Sequence, residues 1–194
     1  MRDLYGSVRS RAFRVRWMLE ELGLDYAYHP EPPRSRTVVA LNRSGRVPVL
    51  VEDGAVMTDS VAIMTFLADR AGRFTHPAGT VDRARQDALT FRVIDDMDAI
   101  LWTAAKHSFV LPEDWRQPEI KETLKLEFDR NARALAEELT GDYLTGDSPV
   151  IPDFLLAHCW EWAGLAHMPR HAPAFDALSA RMRARPAFAR AEAE

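Results

Sequence analysis

The chain holds a single cysteine, Cys159, among 194 residues. One thiol cannot close an internal disulfide, and it rules out a Cys-x-x-Cys redox pair. No apolar run reaches the roughly 20 residues needed to cross a bilayer. The opening Met1-Arg2-Asp3-Leu4-Tyr5 turns polar at once and lacks the apolar stretch of a secretion signal. Charge of one sign is not in excess: 25 Lys and Arg stand against 29 Asp and Glu, for a net charge of −4. That balance offers no broad basic surface for nucleic acid. No His, Cys and carboxylate group has metal-ligand spacing, and there is no repeat or low-complexity tract. The expectation is a cytoplasmic protein with no metal, no membrane and no nucleic-acid partner.

What is present is ordinary for a globular protein: 47% apolar and 28% charged residues, too apolar for disorder. The length suits one medium domain or two small ones. In residues 1–71, Leu4-Tyr5 and Tyr26-Ala27-Tyr28 read as short strands. Between them Val15, Met18, Leu19 and Leu22 follow helical spacing, with Gly23 as C-cap. Pro30, Pro32 and Pro33 make a stiff loop, and a short helix is expected over 36–41. Val47 to Val51 and Val56 to Met57 flank Asp53-Gly54, a two-residue hairpin signal. A helix then runs from about Asp59 to Arg70. A helix between the first two strands makes them parallel, and a two-residue turn makes the last two antiparallel. The expected fold is α/β plus all-α: a thioredoxin-like βαβ-α-ββα domain with a four-stranded mixed sheet, then a helical bundle. Residues 72–80, with Gly72, Pro77 and Gly79, read as a linker. Residues 81–194 read as helices over about 81–106 (buried stripe Ala84, Ala88, Phe91, Ile94), 118–139 (Ile120, Leu124, Phe128, Leu135), 152–165 and 173–184. Pro118 suits a first helical position, and Pro186 ends the last helix.

Several residues bear on chemistry, each with a plain structural role beside it. Val47-Pro48, taken alone, is a proline opening an edge strand. Asp59 and Ser60 begin a helix, where free N–H groups and the positive dipole end suit a ligand carboxylate; both are also common N-caps. Ser10 precedes the first helix and can cap it, although no Glu or Gln three residues on completes a capping box. Tyr5 is a strand residue, and Ser7 lies between the two. Arg9, Arg11, Arg14 and Arg16 crowd this region, where cations oppose the helix dipole; a solvated charged face or an anionic ligand would account for them. Cys159 lies among Leu155, Leu156 and Trp160, as an inert buried thiol does. His107 has no sequence partner that would give it a catalytic role.

Gly45-Arg46-Val47-Pro48-Val49-Leu50, followed by Thr58-Asp59-Ser60-Val61-Ala62-Ile63, resembles the glutathione transferase family, and the resemblance extends over essentially the whole chain. It implies a cis Val47–Pro48 bond, which at an X–Pro step costs only about 0.5–1 kcal/mol, with the Val47 backbone free to pair with the cysteinyl unit of glutathione. It implies that Asp59 takes the γ-glutamyl ammonium, Ser60 its carboxylate, and that Arg46 lies near the tripeptide. Ser10 matches the serine of serine-type members. Arg9-Ser10-Arg11-Ala12 also resembles a tyrosine-type segment whose register points to Tyr5; Ser10 ranks first, Tyr5 second and Ser7 third. A hydroxyl donating to the glutathione sulfur would lower a thiol pKa of roughly 8.5. Asn42-Arg43 stands where the family often has Asn-Pro. Residues 146–158 are similar to its helix-capping motif, with Asp153 as the structural acid and Val150 where a capping Ser or Thr is usual. Trp102 would border the electrophile pocket. The implied protein is a homodimeric detoxifying enzyme that conjugates glutathione to a small hydrophobic electrophile, with peroxidase, isomerase or dehalogenase chemistry open to the same thiolate. A non-catalytic glutathione-binding or protein-interaction module is the alternative.

Overall fold

The computed structural model describes residues 1–193, which form two compact units: residues 1–78 together with 183–193, and residues 79–182. The first unit runs β1 (Arg2–Tyr5), α1 (Ala12–Leu22), β2 (Ala27–His29), α2 (Arg36–Leu41), β3 (Val49–Glu52), β4 (Ala55–Thr58) and α3 (Ser60–Ala71). The sheet order is β2-β1-β3-β4. β1 pairs parallel with β2, Leu4 opposite Tyr28, and antiparallel with β3. The β3–β4 hairpin turns on Asp53 (φ 50°) and Gly54 (φ 83°), the paired left-handed residues of a tight hairpin. This is the mixed thioredoxin-like sheet expected from the sequence.

Amphipathic spacing decides what covers the sheet. α1 buries Val15, Trp17, Met18 and Leu19 and stops at Gly23 with φ 64°. α3 buries Ile63, Met64, Leu67 and Ala68 and packs on α1. A further helix, α9 (Pro186–Glu192), also packs on α1. Phe188 meets Phe13 and Trp17 edge-on, at centroid distances of 5.3 and 4.9 Å. Arg185 forks onto Glu21 at 2.5 and 2.7 Å, and Arg190 reaches Glu20 at 2.8 Å. The sequence division assigned residues 81–194 to one helical domain. Pro186 does stop the preceding helix, but it also supplies the first position of the next, where its missing N–H is harmless.

The second unit holds α4 (Val81–Arg92) and α5 (Ala99–Ala105), joined and followed by π-helical turns over Val93–Asp98 and Lys106–Val110, then α6 (Ile120–Ala136), α7 (Ile151–Leu165) and α8 (Pro173–Arg183), whose last residue falls at the unit boundary. The expected stripe on α4 is displaced. Ala84, Ala88 and Phe91 are exposed, and the buried face is Gln86, Thr90, Val93 and Met97. Two of those four are polar, and the Thr90 hydroxyl is satisfied by the Gln86 carbonyl at 2.9 Å, so apolar periodicity misreads the face. α6 starts at Ile120 rather than Pro118, because a turn in which Lys121 N–H donates to the Pro118 carbonyl at 3.2 Å precedes it. The core centres on α7: Trp160 is fully buried, packs with Phe128 and Phe175, and donates to Asp176 at 2.8 Å. Cys159 is fully buried beside it.

Asp153 ties down the start of α7. It is fully buried, and its two carboxylate oxygens accept the N–H groups of Leu144 and Val150, each at 2.8 Å. Val150 has no side-chain oxygen to return a bond, so only the acid's half of the capping exchange exists. Burial lifts the Asp153 pKa to about 7 against the opposing pull of the backbone N–H donors. Asp153→Ala strands two buried donors and should lower the unfolding free energy by roughly 2–5 kcal/mol in urea titrations. Because the folded pKa lies above the unfolded one, the linked stability is full below about pH 4 and is lost as pH rises through about 7. The stability difference between wild type and Asp153→Asn should therefore shrink over that range by a few kcal/mol.

Candidate functional site

Strand register gathers the site. Tyr5 pairs with Val49, and Val49 with Thr58. The segments just beyond these residues, Gly6-Ser7, Val47-Pro48 and Asp59-Ser60, therefore leave one end of the sheet side by side, on rows about 4.8 Å apart. Gly6 fixes their closeness. Its φ is 135°, and a Cβ built there would lie 2.6 Å from the Ala12 Cβ and 3.0 Å from the Val47 Cβ. Only glycine lets the β1–α1 loop lie between the two.

The Val47–Pro48 bond is cis. Pro48 is buried and Val47 half-buried. Among the described residues the Val47 N–H and C=O make no hydrogen bond, which leaves one backbone donor and one acceptor at the sheet end for an added strand. The loop before them is built by Asn42. Its Nδ2 donates to the Arg46 carbonyl at 2.9 Å, and its Oδ1 accepts from the Ser44 N–H at 3.1 Å and the Ser44 hydroxyl at 2.9 Å. Gly45 N–H returns to the Asn42 carbonyl at 2.8 Å. These bonds replace a proline as the stiffening device at Asn42-Arg43. Arg46 is exposed beside Val47.

At the start of α3, Asp59 takes φ 71° and ψ 128°, a conformation that costs a non-glycine residue on the order of 1–3 kcal/mol. Its Oδ1 accepts from Val61 N–H at 2.8 Å and Ala62 N–H at 3.1 Å. Oδ2 makes no hydrogen bond among the described residues. Ser60 is buried at the first helical position, and its hydroxyl makes no hydrogen bond among those residues either. Asp59 is thus the N-cap with one oxygen left over.

The hydroxyls near α1 differ in what they are already doing. Ser10 donates its only hydroxyl hydrogen to the Ser7 carbonyl at 2.7 Å and accepts the Ala12 N–H at 3.1 Å. The Ser7 hydroxyl makes no hydrogen bond among the described residues, and Ser7 directly follows Gly6. The Tyr5 ring stacks on His29, with centroids 4.5 Å apart, and His29 Nε2 lies 2.8 Å from the Asp3 carboxylate. Burial, then the Asp3 and Glu31 charges, raise the Tyr5 pKa, so its phenol keeps its proton. Trp102 lies on α5 in the second unit, 37% exposed. His107 Nδ1 accepts the Gln117 N–H at 3.1 Å, a structural task. No cluster suited to a metal ion occurs among the described residues, and no described helix is long and apolar enough to cross a membrane. Gly6 and Ser44 are not singled out by the sequence, and Asn42 is noted there only for the proline that does not follow it. Asn42-Arg43-Ser44-Gly45 carries the Asn-x-Ser-Gly signature of a side-chain-stiffened turn, whereas nothing in sequence marks Gly6 as a packing requirement.

A thioredoxin-like unit with a cis-proline beside a capped helix start, accompanied by a helical unit, defines the class. Residues 9–70 match the family model for the glutathione S-transferase N-terminal domain. Maleylacetoacetate isomerase of Rhizobium meliloti (strain 1021) is 33% identical over 168 residues, which cover 79% of this chain and 77% of that protein. Among solved structures, a maleylacetoacetate isomerase from Methylobacterium extorquens AM1 with bound malonate and glutathione superposes with a TM-score of 0.78 at 27% identity, covering 97% of this chain and 95% of that one. A glutathione transferase from Phanerochaete chrysosporium in complex with oxidized glutathione, at 22% identity, shares the fold with a TM-score of 0.85 and covers 98% and 94% of the two chains. The chain belongs to the glutathione transferase family.

Gly6→Ala tests the close approach. The added methyl meets Ala12 and Val47 at a φ that L-residues avoid, and the unfolding free energy should fall by roughly 1–3 kcal/mol in denaturant titration.

Proposed function

We propose that the protein is an enzyme that binds glutathione along the end of the sheet and activates its thiol. The observation that carries this is the unpaired backbone of Val47 beside the start of α3. The cysteinyl unit of the tripeptide pairs with Val47 as an added strand. Asp59 Oδ2, the oxygen its cap leaves free, takes the γ-glutamyl ammonium, and the Ser60 hydroxyl with the α3 dipole takes the adjoining carboxylate. Arg46 supplies positive charge next to Val47, and Pro48 holds the turn.

The thiol then lies by the β1–α1 loop. Ser7, whose hydroxyl is uncommitted, donates to the thiolate. Ser10 holds the loop through the Ser7 carbonyl, a positioning role, and Tyr5 stays a neutral phenol stacked on His29. A donor hydrogen bond favours the ionised sulfur and lowers its pKa. The thiolate attacks a small hydrophobic electrophile. Glutathione-dependent isomerisation of an anionic substrate is the second reading. It is favoured by the relative that carries an isomerase name and by the exposed Arg9, Arg34, Arg43 and Arg46 of the loops around the site. A homodimer in the cytoplasm completes the proposal; Phe91, 68% exposed on α4, is an apolar residue such a contact would cover.

Thiolate absorbance of bound glutathione, followed against pH, separates enzyme from mere binder. Wild type should hold the thiol pKa well below the free value of about 8.5. Ser7→Ala should return it toward that value, Ser10→Ala should do so in part, and Tyr5→Phe should leave it unchanged. Binding with an unshifted thiol pKa in wild type would mean a non-catalytic module.

A further inference from the structure

The loop between β1 and α1, residues 6–11, carries both Ser7 and Ser10, and Gly6 is its first residue. The Gly6 N–H donates to the His29 carbonyl at 3.0 Å. This bond carries the β1–β2 ladder one step beyond the Tyr5–His29 pair and hangs the loop on the last residue of β2. β2 is a weak support by itself. It has three residues, each only half-buried, and lies at one edge of the sheet. Pro30 follows and has no N–H with which to prolong the strand.

The His29 side chain supplies what the short strand lacks. Asp3 and Tyr5 are two residues apart on β1 and so share a face of the sheet, and His29 stands opposite Tyr5. Its imidazole stacks on the Tyr5 ring with 13° between the planes and 4.5 Å between centroids. Its Nε2 lies 2.8 Å from Asp3 Oδ1; a carboxylate only accepts, so Nε2 donates. One side chain of β2 is thus held by two side chains of β1, at its face and at its edge. The backbone is fixed as well, since the carbonyl that accepts from Gly6 also accepts the Glu31 N–H at 2.7 Å. On its other side Gly6 lies close against Ala12 and Val47, so a shift of the His29 carbonyl is passed to the loop rather than absorbed.

We propose that His29 is a positioning residue: clamped by Asp3 and Tyr5, it holds Gly6 and thereby aims the hydroxyls of the β1–α1 loop at the thiol. The catalytic part of this inference rests on the glutathione reading; the hold on Gly6 does not. The groups assigned to the tripeptide, Val47, Asp59 and Ser60, stand before β3 and at the start of α3. Loss of the His29 ring therefore acts on ionisation of the thiol and spares the affinity for glutathione.

Amide hydrogen exchange in the free protein and thiolate absorbance of bound glutathione test the two parts separately. His29→Ala should speed exchange of the Gly6 amide about tenfold and leave the β3 and β4 amides as they are. It should return the thiol pKa of bound glutathione toward the free value of about 8.5 and change the glutathione Kd by less than about threefold. His29→Gln keeps a donor toward Asp3 and should restore part of both effects. Asp3→Ala removes the acceptor and leaves the ring; it should move both readouts the same way by less, and it stands in should His29→Ala not fold. Unchanged Gly6 exchange, an unchanged thiol pKa where wild type lowers it, or a loss of affinity as large as the loss of ionisation would overturn the proposal. A wild type that does not bind glutathione, or binds it with an unshifted thiol pKa, defeats the glutathione reading instead, and Gly6 exchange then decides the hold of His29 alone.

Discussion

Everything at the site depends on the register that β3 keeps with its two neighbours. Because Tyr5, Val49 and Thr58 stand in one row across three strands, three loops with unrelated sequences start from the same place. A one-residue slip of β3 would turn its side chains to the other face and draw Val47 away from Gly6 and Asp59. The hairpin at Asp53-Gly54 fixes one side of that register, and the fully buried Leu4 and Leu50, directly paired, fix the other. Gly6 then sets how closely the first loop approaches. The site is an outcome of sheet pairing before it is an outcome of any functional side chain.

The loops are held by side chains that answer to backbone needs first. Asp59 caps α3 with one oxygen and keeps the other uncommitted. Asn42 spends both ends of its amide on the turn before Val47. Ser10 closes the turn before α1 and gives up its hydroxyl hydrogen to do so. The same local chemistry that makes these residues good caps leaves Val47, Ser60 and Ser7 with unused donors and acceptors. A binding surface arises where capping has satisfied one group of a pair and left its neighbour open.

Much of this could be read from the chain alone, for physical reasons that differ by element. The sheet was readable because Asp-Gly between short apolar runs has few other uses, and the α3 start because Asp followed by Ser is a strong cap signal. The α4 face was not, since its buried side carries Gln86 and Thr90 and its exposed side carries Phe91. α9 was hidden because Pro186 reads as a stop, and its docking rests on long-range contacts of Phe188 and Arg185 with α1 that no local pattern encodes. The ranking of Ser10 over Ser7 followed sequence position; which hydroxyl is uncommitted depends on hydrogen bonds within a turn, and those appear only in three dimensions.

Amide resonances followed during a glutathione titration test the central claim, that Val47 and the α3 start together hold the tripeptide. The Val47 and Ser60 N–H signals should shift most and their hydrogen exchange should slow on binding, with the Ser7 amide following. Saturable binding that leaves Val47 and Ser60 unmoved, or no binding, would contradict it.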